Sequence, residues 1–260
     1  MQPGKIGILG GMYEEVAGLV AQMEDVTAHE GGRRVYYQGT LWGRQVVVAF
    51  SRWGKTAAAT TCTHMVLAFG ITELYFVGLC GAIDPALRIG DMVLGTAFYM
   101  HDMDARPVLA RFELPQLGLQ ALPADADRVA AAHQALAYML ETFGSIPGLT
   151  PLQVELFNLH KPALHQGAIA SADRFLAQGA DKAALRQALP TVLCVEMEGA
   201  AVAQVCYEYR IPYTIVRIVS DTADDGSESD FMGFSTQVAA PYAKAVLQHL
   251  LQYGPALAQA

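Results

Sequence analysis

Residues 73–82 read ELYFVGLCGA. One acid opens an unbroken apolar run, Leu74, Tyr75, Phe76 and Val77, which breaks at Gly78 and Gly81. A strand with no polar alternation has to be covered on both faces, as strands inside an α/β sheet are. Its neighbours fit that reading. An alanine-rich stretch with helical periodicity, residues 56–69, precedes it, and residues 91–94 follow a glycine turn as a further strand.

The same alternation continues outward. Towards the N-terminus, KIGILGG (5–11) is a short apolar run ending in two glycines. Val16, Leu19, Val20 and Met23 follow at helical spacing. Residues 34–40 and 44–50 flank Leu41-Trp42-Gly43 and predict a hairpin. Towards the C-terminus, residues 125–143 predict a helix, 165–170 a strand, 181–188 a helix and 192–195 a strand. That strand runs into a helix from about Glu198; residues 213–219 are the next strand and 235–251 the closing helix. Residues 100–123 are irregular, and 144–163, with three prolines, read as a loop, lid or insertion with a short helical piece. The expectation is one domain over residues 1–260, an α/β sandwich whose mixed, mostly parallel sheet is covered on both sides.

A 260-residue chain that is 53% hydrophobic and 16% charged has material for one large core or a dry subunit interface. The formal charge is −8 and no basic run occurs, which argues against a nucleic-acid partner. Cys62, Cys80, Cys194 and Cys206 form no CxxC pair and read as buried thiols of a reducing compartment. The start, MQPGKIGILGG, carries no long apolar stretch before its first turn, and the apolar runs are too interrupted to span a membrane. The expected location is the cytoplasm.

Ligands of open α/β sheets gather at the carboxyl ends of strands. Four such ends carry chemistry: GGMYEE (10–15), VGLCGA (77–82), VEMEG (195–199) and VSDTAD (219–224). The opening glycines are not a dinucleotide fingerprint, because Glu14 and Glu15 stand where a pyrophosphate would sit and would repel it. Either acid could equally serve only to stabilise a helix start. Glu196 and Glu198 leave a core strand two residues apart, which is costly unless each is partnered. Arg217 or a backbone amide could pair with one, and sugar hydroxyls with the other. Asp221 follows an apolar strand directly, where a carboxylate has little structural reason to be. Phe175 and Phe231 are aromatics available for a base, although a lone Phe is usually core.

These strings resemble, in order, the motifs of the 5'-methylthioadenosine/S-adenosylhomocysteine nucleosidase family. KIGILGGMYEEV resembles its opening motif, with Met12 beside the acids and Glu15 as the residue that activates water. SRWGKTAAA (51–59) resembles its glycine-lysine turn, and VGLCGAIDPALRIGDMVL (77–94) the nucleoside phosphorylase signature. HDMDARP (101–107) resembles a segment typical of the nucleosidase branch. SADRFL (171–176) looks like the purine loop, making Phe175 the stacking ring and setting the Leu176 backbone against the base. VEMEG is similar to the ribose signature, with Met197 under the sugar and Glu198 on its hydroxyls. SDTAD is similar to the segment whose aspartate, Asp221, protonates purine N7. Phe231 falls where an apolar residue closes over the substrate, near the partner subunit.

The resemblance runs from Lys5 to about Leu251. It implies a phosphorylase/hydrolase-like three-layer α/β/α sandwich, a homodimer, a small purine nucleoside substrate, and no metal or organic cofactor. Three places depart from the family pattern. Leu79 stands where a small hydroxyl residue is common, Trp53 where a smaller apolar one is, and 144–163 is longer. All three bear on the pocket.

Rival readings are a purine nucleoside phosphorylase, a futalosine-type nucleoside hydrolase and a non-catalytic nucleoside sensor. The phosphorylase reading needs phosphate ligands, for which Arg52 and Arg88 are available, but Tyr75, Phe76 and Leu79 replace its usual arginine and serine.

Overall fold

The central strand of the computed structural model is β5 (Ile71–Ala82), longer than its apolar run because Gly78 and Gly81 continue the strand. The structure describes residues 4–143, 146, 148–159, 161–223 and 227–254. β1 (Lys5–Gly10) and β10 (Tyr213–Asp221) pair with β5 in parallel, and β4 (Arg44–Phe50) pairs with β1 in parallel. β3 (Arg34–Leu41) makes the predicted hairpin with β4. β2 (Glu24–Gly31) adds an antiparallel edge that the sequence pattern hides. Its residues, EDVTAHEG, are largely exposed and polar, so no buried face prints a period on them.

On the other side of β5 the sheet closes on itself. β6 (Met92–Met100) pairs antiparallel with β10 and with the short β7 (Leu122–Pro123), and parallel with β8 (Leu164–Ser171). β8 pairs in parallel with β9 (Val192–Glu196). β9 then meets the end of β5 antiparallel, through Gly81 with Val195 and Ala82 with Cys194. The sheet is therefore mixed, and the antiparallel junction brings the ends of β5, β9 and β10 to one place.

Period-two side-chain direction sorts the core into layers. Along β5, Leu74, Phe76 and Cys80 face α2 (Lys55–Phe69) and α6 (Gly199–Tyr209) through Ala58, Cys62, Met65 and Ala200–Ala203. Tyr75 and Val77 face the opposite layer, built from α1 (Tyr13–Val20), α3 (Ala126–Phe143) and α8 (Ala239–Tyr253). α5 (Gly179–Ala188) covers a smaller cluster with Leu176 and Leu185. The architecture is a three-layer α/β/α sandwich. All four cysteines are buried and free, and no helix among the described residues is long and apolar enough to cross a membrane.

One element differs from the sequence reading, and the segment 144–163 holds the short helical piece expected of it. The closing helix is two helices, α7 (Ser227–Gln237) and α8, with Val238 buried between them. The segment 144–163, expected as a lid or insertion, contains α4 (Pro151–Leu156), capped by Thr150. Residues 144, 145, 147 and 160 lie outside the described residues. Ile146 and Leu159 are buried in the α1/α3/α8 layer, and Phe157 meets Phe234 of α7 edge-on at 5.5 Å. None of its described residues lines the cavity at the strand ends; through Phe157 the segment packs against α7.

Candidate active site

The strand ends enclose a cavity of about 380 Å³. It is lined by Met12, Trp53, Leu79, Phe175, Leu176, Glu196, Met197, Glu198, Asp221 and Phe231, residues far apart in the sequence. Arg174, Arg217, Ser220, Glu228 and Met232 join them. Asp224, part of the SDTAD string, lies outside the described residues.

Glu15 sits on the buried face of α1, 2% exposed, just behind the lining. Its Oε2 accepts the Met12 N–H at 2.9 Å, turning the carboxyl back towards the helix start. Its Oε1 is buried without a hydrogen-bond partner. Burial pushes this carboxyl up to about 8, against the lowering pull of the Met12 amide and Arg217. A carboxyl in this state is suited to exchange a proton near neutral pH. The glycines in front of it matter: a Cβ on Gly78 would stand 3.1 Å from Arg217 Nη1 and 3.5 Å from Gly11 Cα.

Glu196 and Glu198 divide the two roles open to them in the sequence. Arg217 reaches Glu196 Oε2 through Nη2 at 2.7 Å and Nε at 3.1 Å. The Glu198 and Gly199 amides and the Ser171 hydroxyl also donate to Glu196. A carboxylate so engaged holds its neighbours in place. It has little capacity left for a ligand, although its side chain borders the cavity. Glu198 receives the Gly54 N–H, on Oε1 at 2.8 Å. Burial and the adjacent Glu196 carboxylate push Glu198 up to about 7.

Asp221 closes β10. Its Oδ1 accepts the Ala223 N–H at 2.9 Å and its Oδ2 the Ser220 hydroxyl at 2.9 Å. Burial raises it above the ordinary aspartate range, while those donors pull the other way. Gly81 makes room for it, since a Cβ there would lie 2.7 Å from Oδ1.

The mouth is aromatic. Phe231 meets Trp53 edge-on at 6.3 Å and Phe175 at 5.6 Å, and the Trp53 indole N–H donates to Gly11 O at 3.2 Å. Trp53 and Phe175 are about half exposed, at 56% and 44%. Leu79 is half-buried on the cavity wall.

Arg217, open in the sequence as a partner for one of the two glutamates, takes that part with Glu196 and also lines the cavity, which the sequence reading did not give it. The available signal was an arginine inside the apolar run TIVRIVS. Buried, it lies over the Phe76 ring at 3.9 Å and is the largest wholly buried side chain among the described residues. Arg52 and Arg88 do not line the cavity.

The chain matches the Phosphorylase superfamily model over residues 5–252. It is 32% identical over 249 residues to the 5'-methylthioadenosine/S-adenosylhomocysteine nucleosidase of Psychromonas ingrahamii, covering 95% of this chain and 98% of that one. It is equally 32% identical over 253 residues to the aminodeoxyfutalosine nucleosidase of Helicobacter pylori, with 95% and 99% coverage. Among solved structures, the Neisseria meningitidis 5'-methylthioadenosine/S-adenosylhomocysteine nucleosidase bound to methylthio-immucillin-A superposes with a TM-score of 0.82. That match has 32% identity and covers 95% of this chain and 98% of the other. By sequence over nearly its whole length and by fold, the chain belongs to the 5'-methylthioadenosine/S-adenosylhomocysteine nucleosidase family of the phosphorylase superfamily.

Proposed function

We propose that this protein hydrolyses the N-glycosidic bond of 5'-methylthioadenosine, S-adenosylhomocysteine or both, releasing adenine and a 5-thioribose sugar. Its relatives support nucleosidase activity on adenine nucleosides as the class. The observation that carries the reading is one cavity bordered by Glu198 and Asp221, with the buried Glu15 carboxyl of α1 behind its wall, burial raising all three above the ordinary carboxyl range. In this assignment Asp221 donates a proton to purine N7, so the base leaves neutral. Positive charge builds on the ribose as the bond opens. Glu15 takes a proton from the attacking water at C1', and Glu198 grips the diol. Phe175 stacks on the base against the Leu176 backbone, Met197 lies under the sugar, and Met12, Trp53, Leu79 and Phe231 shape the remainder. Glu196 acts through Glu198 and the Gly199 amide.

Phosphorolysis is disfavoured by the state of the cavity's arginines. Arg217 is committed to Glu196 and Arg174 to Asp181, and acids occupy the first turn of α1. A second reading, cleavage of an aryl-bearing nucleoside such as aminodeoxyfutalosine, is favoured by Trp53 and Phe231 standing edge to face at the mouth. The protein is further read as one domain acting as a cytoplasmic homodimer without metal or organic cofactor.

The test is base release from methylthioadenosine, S-adenosylhomocysteine, adenosine and aminodeoxyfutalosine, with and without phosphate. Phosphate-independent adenine release with a free sugar is expected, and the fastest substrate names the 5'-group. Strict phosphate dependence with a sugar 1-phosphate would replace this reading by a phosphorylase.

A further inference from the structure

Behind the cavity wall, three charged side chains join three distant segments. Lys55 Nζ pairs with Asp102, in the turn after β6, and lies 3.5 Å from Asp173 Oδ2, in the turn after β8. The Asp173 N–H donates to Asp102 Oδ2 at 3.1 Å. The Lys55 N–H donates to Asp173 Oδ1 at 2.7 Å. The preceding amide, that of Gly54, donates to Glu198 at 2.8 Å. None of the three charged residues lines the cavity.

We propose that Lys55, Asp102 and Asp173 form a positioning clamp, which fixes the purine loop and the Glu198 carboxylate through one shared turn. The inference rests on the nucleoside reading of the site. Two consecutive amides at the start of α2 each hold a carboxylate. One belongs to the residue assigned to the ribose, the other to Asp173, two residues before the ring assigned to the base. Because the amides are covalently adjacent, a shift in one carboxylate moves the donor of the other.

The Lys55 ammonium supplies the third bond. Its side chain is only 18% exposed, and it sits between two acids that would otherwise repel each other. Burial pushes Asp102 up, yet Lys55 and the Asp173 amide hold it below the ordinary aspartate range. Charge-assisted bonds of this kind are shorter and stronger than neutral ones. Gly54 fits the turn because φ is +91°, and a Cβ would stand 3.0 Å from Asp173 Oδ1.

The experiment compares wild type with Lys55→Met, Lys55→Arg, Asp102→Asn and the Lys55→Met/Asp102→Asn double variant. Steady-state kinetics are run on the best nucleoside and adenine affinity is measured by calorimetry. The clamp predicts that Lys55→Met raises KM and weakens adenine binding about tenfold. The effect on kcat should be smaller, Lys55→Arg should recover most of the loss, and the double variant should be no worse than Lys55→Met. Unchanged KM and adenine affinity in Lys55→Met, or additive losses in the double variant, would overturn it. If Lys55→Met does not fold, Asp102→Asn carries the same comparison, and its unchanged KM and adenine affinity would count equally against the clamp. Adenine binding needs no turnover. A wild type inactive on every nucleoside therefore sinks the reaction assignment, while the affinities still decide the clamp.

Discussion

Glu15 is where burial does most to a single group. Its carboxyl titrates near 8 in the folded protein against 4.5 for a free glutamate. Between those values the folded chain keeps a proton that the unfolded chain has released, so this residue's contribution to stability falls as pH rises through the window. The difference sets a ceiling of about 5 kcal/mol. Glu15→Gln should therefore melt close to wild type at pH 5 and increasingly above it towards pH 8.5, read by thermal unfolding across pH. A constant difference would mean that Glu15 is not held protonated. The same variant should bind adenine and lose turnover, and on the wild-type rate profile the Glu15 limb of kcat/KM should rise towards pH 8 as the base form appears. Asp221→Asn tests the opposite proton. It should keep nucleoside affinity and lose about 10²- to 10⁴-fold in kcat; a wild-type rate would place the acid elsewhere.

At the scale of elements, much was legible because burial writes a period into sequence. The apolar runs of β1, β5 and β10 and the alanine-rich α2 and α3 are readable from pattern alone. β2 is not, since its exposed polar residues show no period. Val238 is itself apolar and buried and gives no sign of the break; the local mark is Pro241, which falls in the first turn of α8, where a proline is tolerated, and would have broken one continuous helix. In the site, the carboxylates stood out as charges at strand ends, whereas the partners that decide their roles came from elsewhere in the chain. The Gly54 amide, which only the fold reveals as a ligand of Glu198, is the clearest case. That turn yields its own prediction. With φ +91° and ψ 154°, Gly54 occupies a region essentially closed to other residues. Gly54→Ala should cost about 1–3 kcal/mol in urea unfolding and lower kcat/KM by displacing Glu198. An unaltered midpoint together with unaltered kinetics would show the turn to be tolerant.

For the molecule as a whole, the closed run of strands from β5 through β10, β6, β8 and β9 places an ion pair across its interior. Arg217 of β10 and Glu196 of β9 are on strands that do not pair with each other, though both pair with β5. Their side chains are 1% and 3% exposed, so neither charge has solvent to fall back on. Removing one partner should leave the other uncompensated, and breaking such a pair costs about 3–5 kcal/mol. Arg217→Met is predicted to lose about that much in denaturant unfolding. Glu196→Gln placed on top of it removes the stranded charge but keeps an oxygen for the Glu198 and Gly199 amides. The double variant should consequently be more stable than Arg217→Met alone. Activity should not return with it, since the Arg217–Glu196 bonds that hold the carboxyl against the Glu198 and Gly199 amides are gone. A double-mutant cycle measures the coupling directly. Additive losses would mean that Arg217 and Glu196 stabilise the closed strands independently, and that the ring is held by its backbone pairing without their bond.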